Sequence, residues 1–311
     1  MPRTSQGKFV TEASRVFQEG DDFWKAGKYD EAALKYQESA GLYNKNDDAE
    51  GEAFALTRLG ELELSLDNFD RAEEVLSAAA ELVKDKDYAQ NTYGDILIKL
   101  SKGYADGGDT AKALTVIKKA QEVLAAIDNH DLLGDAYDQE AYIFMVRNQE
   151  DEALKAYRKA AELFRRDGIG LKEASTLRAI ARIEMKKKNY EEAHDVLEKC
   201  RTLYRENGDL LGEASALSAI GCLRYIIRDI ANARKALMKS VYLYGRVAHH
   251  FAEAEALLYL ARVEAFDKEQ GDYDRAKLHY KRSIDLFDFL GNDTMKRVVL
   301  DEYHTFLNRI A

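Results

Sequence analysis

Apolar residues along the 311-residue chain recur at three- and four-residue intervals, the period of an amphipathic helix, and no stretch alternates as a half-buried strand would. The apolar stripes are short and separated by polar turns. Seven turns lead into similar sequences. Gly27-Lys28-Tyr29-Asp30-Glu31-Ala32, Asn68-Phe69-Asp70-Arg71-Ala72 and Asn189-Tyr190-Glu191-Glu192-Ala193 are the clearest, and the others end at Ala113, Ala153, Ala233 and Ala276. Successive terminal alanines lie 40, 41, 40, 40, 40 and 43 residues apart. Such regular spacing marks an internal repeat.

Two further columns follow from that alignment. Twelve residues before the alanines stand Gly20, Gly60, Ser101, Ala141, Ala181, Gly221 and, allowing three extra residues in the last repeat, Ala261. Seven residues after them stand Ser39, Ala79, Ala120, Ala160, Cys200, Ser240 and Ser283. All 21 aligned positions are Ala, Gly, Ser or Cys, types that make up about a quarter of the chain. Small side chains at fixed places let two helix backbones approach closely. Between the columns one apolar place recurs as Tyr36, Leu76, Ile117, Tyr157, Leu197, Leu237 and Tyr280. The repeating unit is therefore a helix, a tight turn, a second helix and a loop. Loops such as Asn44 to Asp48, Asn207 to Asp209 and Gly291 to Asp293 supply the caps.

The spacing predicts an all-α chain with seven helix-turn-helix repeats over 13–290, starting near 13, 53, 94, 134, 174, 214 and 254. Residues 1–12 form an N-terminal segment, in which a short extra helix is left open. Residues 294–311 carry Val298, Val299, Tyr303, Phe306, Leu307 and Ile310 at helical spacing and read as a capping helix. A repeat array needs such a cover for its last apolar face.

Charge narrows the functions. With 46 Lys and Arg against 56 Asp and Glu the chain carries −10, which argues against a nucleic-acid or anionic-membrane binder. No apolar run approaches the roughly 18 residues of a membrane span, so no membrane insertion is expected. The first ten residues lack an apolar signal stretch. Two cysteines, Cys200 and Cys222, fit a reducing compartment, and a cytoplasmic location is expected.

The small-residue triplet, together with Gly-x-Tyr turns at Gly27/Tyr29 and Gly271/Tyr273, resembles the tetratricopeptide repeat family over about residues 13–290. Two departures stand out. The period is about 40 rather than the common 34, and the proline that usually ends the second helix is missing. Stretches such as Gly51-Glu52-Ala53 and Gly212-Glu213-Ala214 are similar to the long-repeat branch seen in Pins/LGN-type adaptors, kinesin light chains and bacterial peptide-sensing regulators. The three extra turn residues before Tyr273 give the last repeat a likeness to soluble NSF attachment proteins. The resemblance implies a right-handed superhelical α-solenoid.

Catalytic chemistry finds no foothold, and no enzyme, cofactor or metal site is expected. Gly168-x-Gly170 lacks the strand and the remaining glycines of a dinucleotide loop. Asn44, Asn46 and Asp48 have calcium-loop spacing, but Ala49 and Ala55 stand where glycine and glutamate are needed. The adjacent His249 and His250 read as exposed loop residues, with weak metal capture the alternative. Cys200 falls in a packing column, while Cys222 falls on a first helix where a reactive thiol is the sharper reading.

In the tetratricopeptide family the first helices line a concave groove. Transferred residue by residue, that geometry implies a lining containing Phe54, Thr57, Cys222 and Leu258. The binding residues it implies are Arg58, Lys99, Lys102, Tyr142, Arg178, Arg182, Lys186, Tyr225, Tyr259 and Arg262. This lining is slightly positive in a strongly acidic chain. Arg178, Arg182 and Lys186 are spaced i, i+4, i+8 and form one ridge. The expected role is a non-catalytic scaffold or adaptor taking a peptide or protein segment, with an acidic segment the sharper form. The alternative for Arg and Lys is that they only balance neighbouring acids. A ligand-responsive peptide-sensing regulator and a self-associating, homo-oligomeric structural protein are the competing functions, with an attachment-protein-like adaptor behind them.

Overall fold

The computed structural model describes residues 11–266 and 272–310. Among the described residues there are fifteen α-helices, one short 3-10 turn and no strand. The chain divides into two compact units, Met1–Asp167 and Gly168–Ala311. The first holds four helix pairs: α1 (Glu12–Lys25) with α2 (Tyr29–Lys45), α3 (Ala49–Ser65) with α4 (Phe69–Val83), α5 (Gln90–Asp106) with α6 (Thr110–Ala126), and α7 (His130–Val146) with α8 (Glu150–Arg166). The second holds three: α9 (Gly170–Lys186) with α10 (Tyr190–Glu206), α11 (Leu210–Ile226) with α12 (Ile230–Arg246), and α13 (His250–Phe266) with α14 (Tyr273–Phe289). A last helix, α15 (Asp293–Ile310), follows them. Seven helix-turn-helix repeats and a terminal helix are thus what the periodicity predicted.

The small columns act as the packing argument requires. A Cβ on Gly20 would lie 2.8 Å from the Tyr36 ring, one on Gly60 2.5 Å from Leu76, and one on Gly221 2.5 Å from Leu237. The large residue of the second helix sits directly on the missing side chain of the first. The downstream column is fully buried. Where it is not alanine it returns a hydrogen bond to the first helix. Ser39 donates to the Ala13 carbonyl (2.9 Å), Cys200 to Ala174 (3.2 Å), Ser240 to Ala214 (2.9 Å) and Ser283 to Ala254 (2.8 Å).

Most first helices end alike. One residue turns left-handed, as at Gly27 (φ 72°) and Lys188 (φ 64°), and the next amide reaches back to close the last turn. The amides of Asn68, Asn189 and Asp229 each donate over 2.9 Å to the carbonyls of Glu63, Glu184 and Arg224. Side chains of the same residues repeat the bond: Asn68 to Glu63 (2.9 Å), Asn189 to Glu184 (2.7 Å) and, with donor and acceptor exchanged, Arg224 to Asp229 (3.2 Å). Asp48 and Asp209 cap the following helices by accepting from the amides of Gly51 and Gly212 at 2.8 Å. That is the work of the calcium-like stretch.

The 41-residue spacing has a local cause. α4 stops early at Val83, and a six-residue link containing the 3-10 turn Asp87–Ala89 replaces the usual three-residue loop. The three extra residues of the last repeat, and Gly271 of its turn, lie outside the described residues, as do residues 1–10. In α15, Val299, Tyr303 and Phe306 are buried against Ala254, Leu258, Ala261, Tyr280 and Phe287, while Val298 faces out.

Candidate functional site

The residues expected to line a groove lie on first helices, and the structure shows what many of them contact. In the first unit, Arg58 on α3 meets Asp21 on α1 at 3.0 Å and Glu61 on its own helix at 2.6 Å. Lys99 on α5 reaches back to Glu61 at 3.3 Å and also pairs with Asp95. The Tyr142 hydroxyl on α7 donates to Asp106 on α5 at 2.7 Å. Trp24 stacks under the Arg58 guanidinium at 4.6 Å, and the Tyr36 hydroxyl donates to Asp21 at 2.6 Å. The Arg58–Asp21, Lys99–Glu61, Tyr142–Asp106 and Trp24–Arg58 contacts bridge one repeat to the next, and the others brace those groups within a repeat.

These charges are therefore engaged. Burial by itself would weaken the Arg58 cation, but its bonds to Asp21 and Glu61 outweigh burial and raise its pKa. The Tyr142 phenol is pushed up to about 12, first by its bond to Asp106 and then by burial. Lys102 differs: it is exposed and, among the described residues, makes no ion pair. Phe54 is 51% exposed, yet its ring lies 4.9 Å from that of Phe17, so part of it covers α1.

The second unit closes similarly at its C-terminal end. Arg262 on α13 holds Glu302 on α15 through two bonds, 2.8 and 2.7 Å, and the Tyr280 hydroxyl donates to the same carboxylate at 2.8 Å. Burial would raise the Glu302 pKa, but bonds from Arg262 and Tyr280 bring it below its ordinary value. Tyr225 packs edge-on to Phe266 at 5.8 Å, and Tyr259 lies under Arg262 at 4.9 Å. Between them is a cleft of about 180 Å³, lined also by Phe306 and Arg309. Arg309 already donates to the Ala265 carbonyl.

The α9 ridge is of another kind. Arg178, Arg182 and Lys186 are all exposed. Arg178 donates to the Ser215 hydroxyl on α11 at 3.0 Å, a neutral partner. Arg182 makes no ion pair or hydrogen bond among the described residues.

Three expectations change. Thr57 and Leu258 do not line a surface: each is 4% exposed, Thr57 donating to the Ala53 carbonyl at 2.6 Å and Leu258 packing into the terminal core. Burial pushes the half-buried Cys222 thiol up to about 12, which disfavours the thiolate a reactive cysteine needs. His249 serves α13, accepting from the Ala252 amide at 3.3 Å. The acids Asp21, Glu61 and Glu302, which decide the electrostatics, carried a readable signal. Each stands about one repeat, 37 to 40 residues, from the cation it pairs with. Among the described residues no three His, Cys, Asp or Glu are grouped to hold a metal, and no helix is long and apolar enough to cross a membrane.

Residues 66–210, just under half of the chain, match the soluble NSF attachment protein family. That match falls away from the last repeat, where the sequence suggested the likeness. No curated protein matches the sequence significantly. In three dimensions the chain is similar to BtubC from P. vanneervenii, with a TM-score of 0.64 at 17% identity over 72% of this chain and 92% of that one. It is similar also to a STAND protein with a tetratricopeptide repeat sensor from Pyrococcus horikoshii, TM-score 0.65 at 16% identity over 95% of this chain. This chain spans 47% of that protein, about half its length. A Rap protein complexed with competence and sporulation factor matches at TM-score 0.57 and 14% identity, over 83% of this chain and 76% of that one. At such identities the likeness concerns the fold, which is tetratricopeptide-like.

Proposed function

We propose that the chain is a non-catalytic interaction scaffold of the cytoplasm whose second unit takes an acidic peptide or protein segment along α9. The observation that carries this reading is the exposed Arg178–Arg182 row, where Arg182 pairs with no carboxylate among the described residues. A guanidinium in that condition offers a planar fork of donors to an incoming carboxylate. Arg58, Lys99 and Arg262, by contrast, have their forks filled and serve the array. The Rap neighbour with its bound factor supports the reading, since a related fold there accommodates a ligand.

The test is fluorescence anisotropy with a labelled glutamate-rich peptide at low and moderate salt. Wild type should saturate, and Arg178→Glu/Arg182→Glu should weaken binding at least about tenfold, roughly 1.4 kcal/mol. Lys102→Glu, the same kind of charge reversal in the other unit, should bind as wild type does. Equal binding by the α9 variant, with its helical circular dichroism intact, would remove α9 as the site.

A further inference from the structure

A second cationic cluster lies on other elements and serves neither the repeat stitching nor the α9 ridge. A cavity of about 270 Å³ opens between α10, α11 and α12. Four cations line it: Arg201 from α10, Arg224 from α11, and Lys235 and Lys239 from α12. Three have acids. Arg201 pairs with Glu198 at 3.0 Å, Arg224 with Asp229 at 3.2 Å, and Lys239 with the buried Glu213 at 2.6 Å. Lys235 has none among the described residues, and the Arg201 Nε is buried without a hydrogen-bond partner. So the cluster keeps one uncompensated cation and one unused buried donor in a chain whose net charge is −10.

Glu198 also lines the cavity, its carboxylate held by Arg201, and the other polar groups at the wall are uncharged or donors. Arg224 lies 2.6 Å from the His194 Nε2. A guanidinium can only donate, so that nitrogen accepts and the imidazole adds no carboxylate-like charge. Asn232 supplies a further amide edge at the wall. Leu217, Ile220 and Ala236 complete the lining with apolar surface.

We propose that this cavity binds a small phosphorylated molecule, its phosphate held among Arg201, Lys235 and Arg224 and its organic part against Leu217 and Ile220. Donors converge from three helices, which suits the tetrahedral oxygens of a phosphate better than a planar carboxylate. The volume exceeds what a bare oxyanion needs, and the apolar wall gives the excess a use. Lys235, with no acid partner among the described residues, and the lining guanidinium groups of Arg201 and Arg224 supply the charge-assisted donors that phosphate oxygens accept from.

Isothermal titration with glycerol 3-phosphate, at ionic strength held constant with sodium chloride, tests this on the full chain. Wild type should bind saturably with one site. Lys235→Glu and, separately, Arg201→Gln should each lower affinity at least about tenfold. Neither substitution strands a buried acid, as Lys239→Ala would strand Glu213. Lys155→Glu, at an exposed lysine of α8 in the other unit, repeats the charge change and should leave affinity unchanged. The proposal is overturned if wild type shows no saturable binding into the millimolar range. It is equally overturned if both cavity variants, folded by circular dichroism, bind as tightly as wild type, or if Lys155→Glu weakens binding as much as they do.

Discussion

The first-helix faces of the two units carry similar cations in different circumstances. On α3 and α5, Arg58 and Lys99 lie between Asp21, Glu61 and Asp95, so their charge is spent holding one repeat to the next. On α9, Arg178 meets only a serine hydroxyl and Arg182 meets nothing among the described residues. The lesson concerns what a basic residue in a repeat is for. Its value to a partner depends on whether an acid stands at the facing place one repeat away, and half-buried paired cations contribute to the fold before they contribute to recognition.

That contrast can be broken by mutation. The largest effect is expected from Glu302→Ala, which leaves the half-buried Arg262 and the Tyr280 hydroxyl without their acceptor. The loss should be about 2–3 kcal/mol of unfolding free energy in a urea titration, since bonds to charged groups are the stronger ones. An unchanged midpoint would show that α15 is held by its apolar face alone. Next comes Arg58→Ala, which leaves Asp21 only Tyr36 and Glu61 only Lys99 and uncovers Trp24. About 1–2 kcal/mol is expected, including the cation–aromatic contact.

A pH series sharpens the same point. Because Glu302 is held below its ordinary pKa in the folded chain, its contribution is complete above about pH 4.5 and is lost as pH falls through its folded value. Melting temperature should therefore fall more steeply below that pH in wild type than in Glu302→Gln, and identical slopes would count against the pair. The smallest effect belongs to the other face: Arg182→Ala should change stability by no more than about 0.5 kcal/mol. A cost as large as that of Arg58→Ala would show that Arg182 has a structural partner, and the comparison would collapse.

Much of this architecture was legible beforehand, for identifiable reasons. Gly60 and Leu76, or Gly221 and Leu237, are locked by direct contact at fixed spacing, so repetition of small and large residues spells out the helix pairs. Arg58, Lys99, Tyr142, Arg178 and Tyr225 each touch the adjacent first helix and Arg262 the terminal helix, contacts that follow from the repeat spacing. Their partners were harder to read. Asp21 and Glu302 each lie about a full repeat from the cation they bind, and Glu61, beside Arg58 on α3, also reaches Lys99 a repeat away, so the signal is visible only when repeats are set side by side. The cavity of Arg201, Arg224 and Lys235 was missed because attention to first helices left the second helices out.

By itself the sequence determined the periodicity, the small columns, the capping turns and the amphipathic terminal helix. Each depends on residues within one repeat, where chain connectivity fixes who meets whom. The tertiary structure decided which cations are paired, that Thr57 and Leu258 turn inward, and that the Cys222 thiol is held protonated near 12. These depend on distance and desolvation between helices, and a charge or a thiol takes its character from the neighbours that packing brings to it.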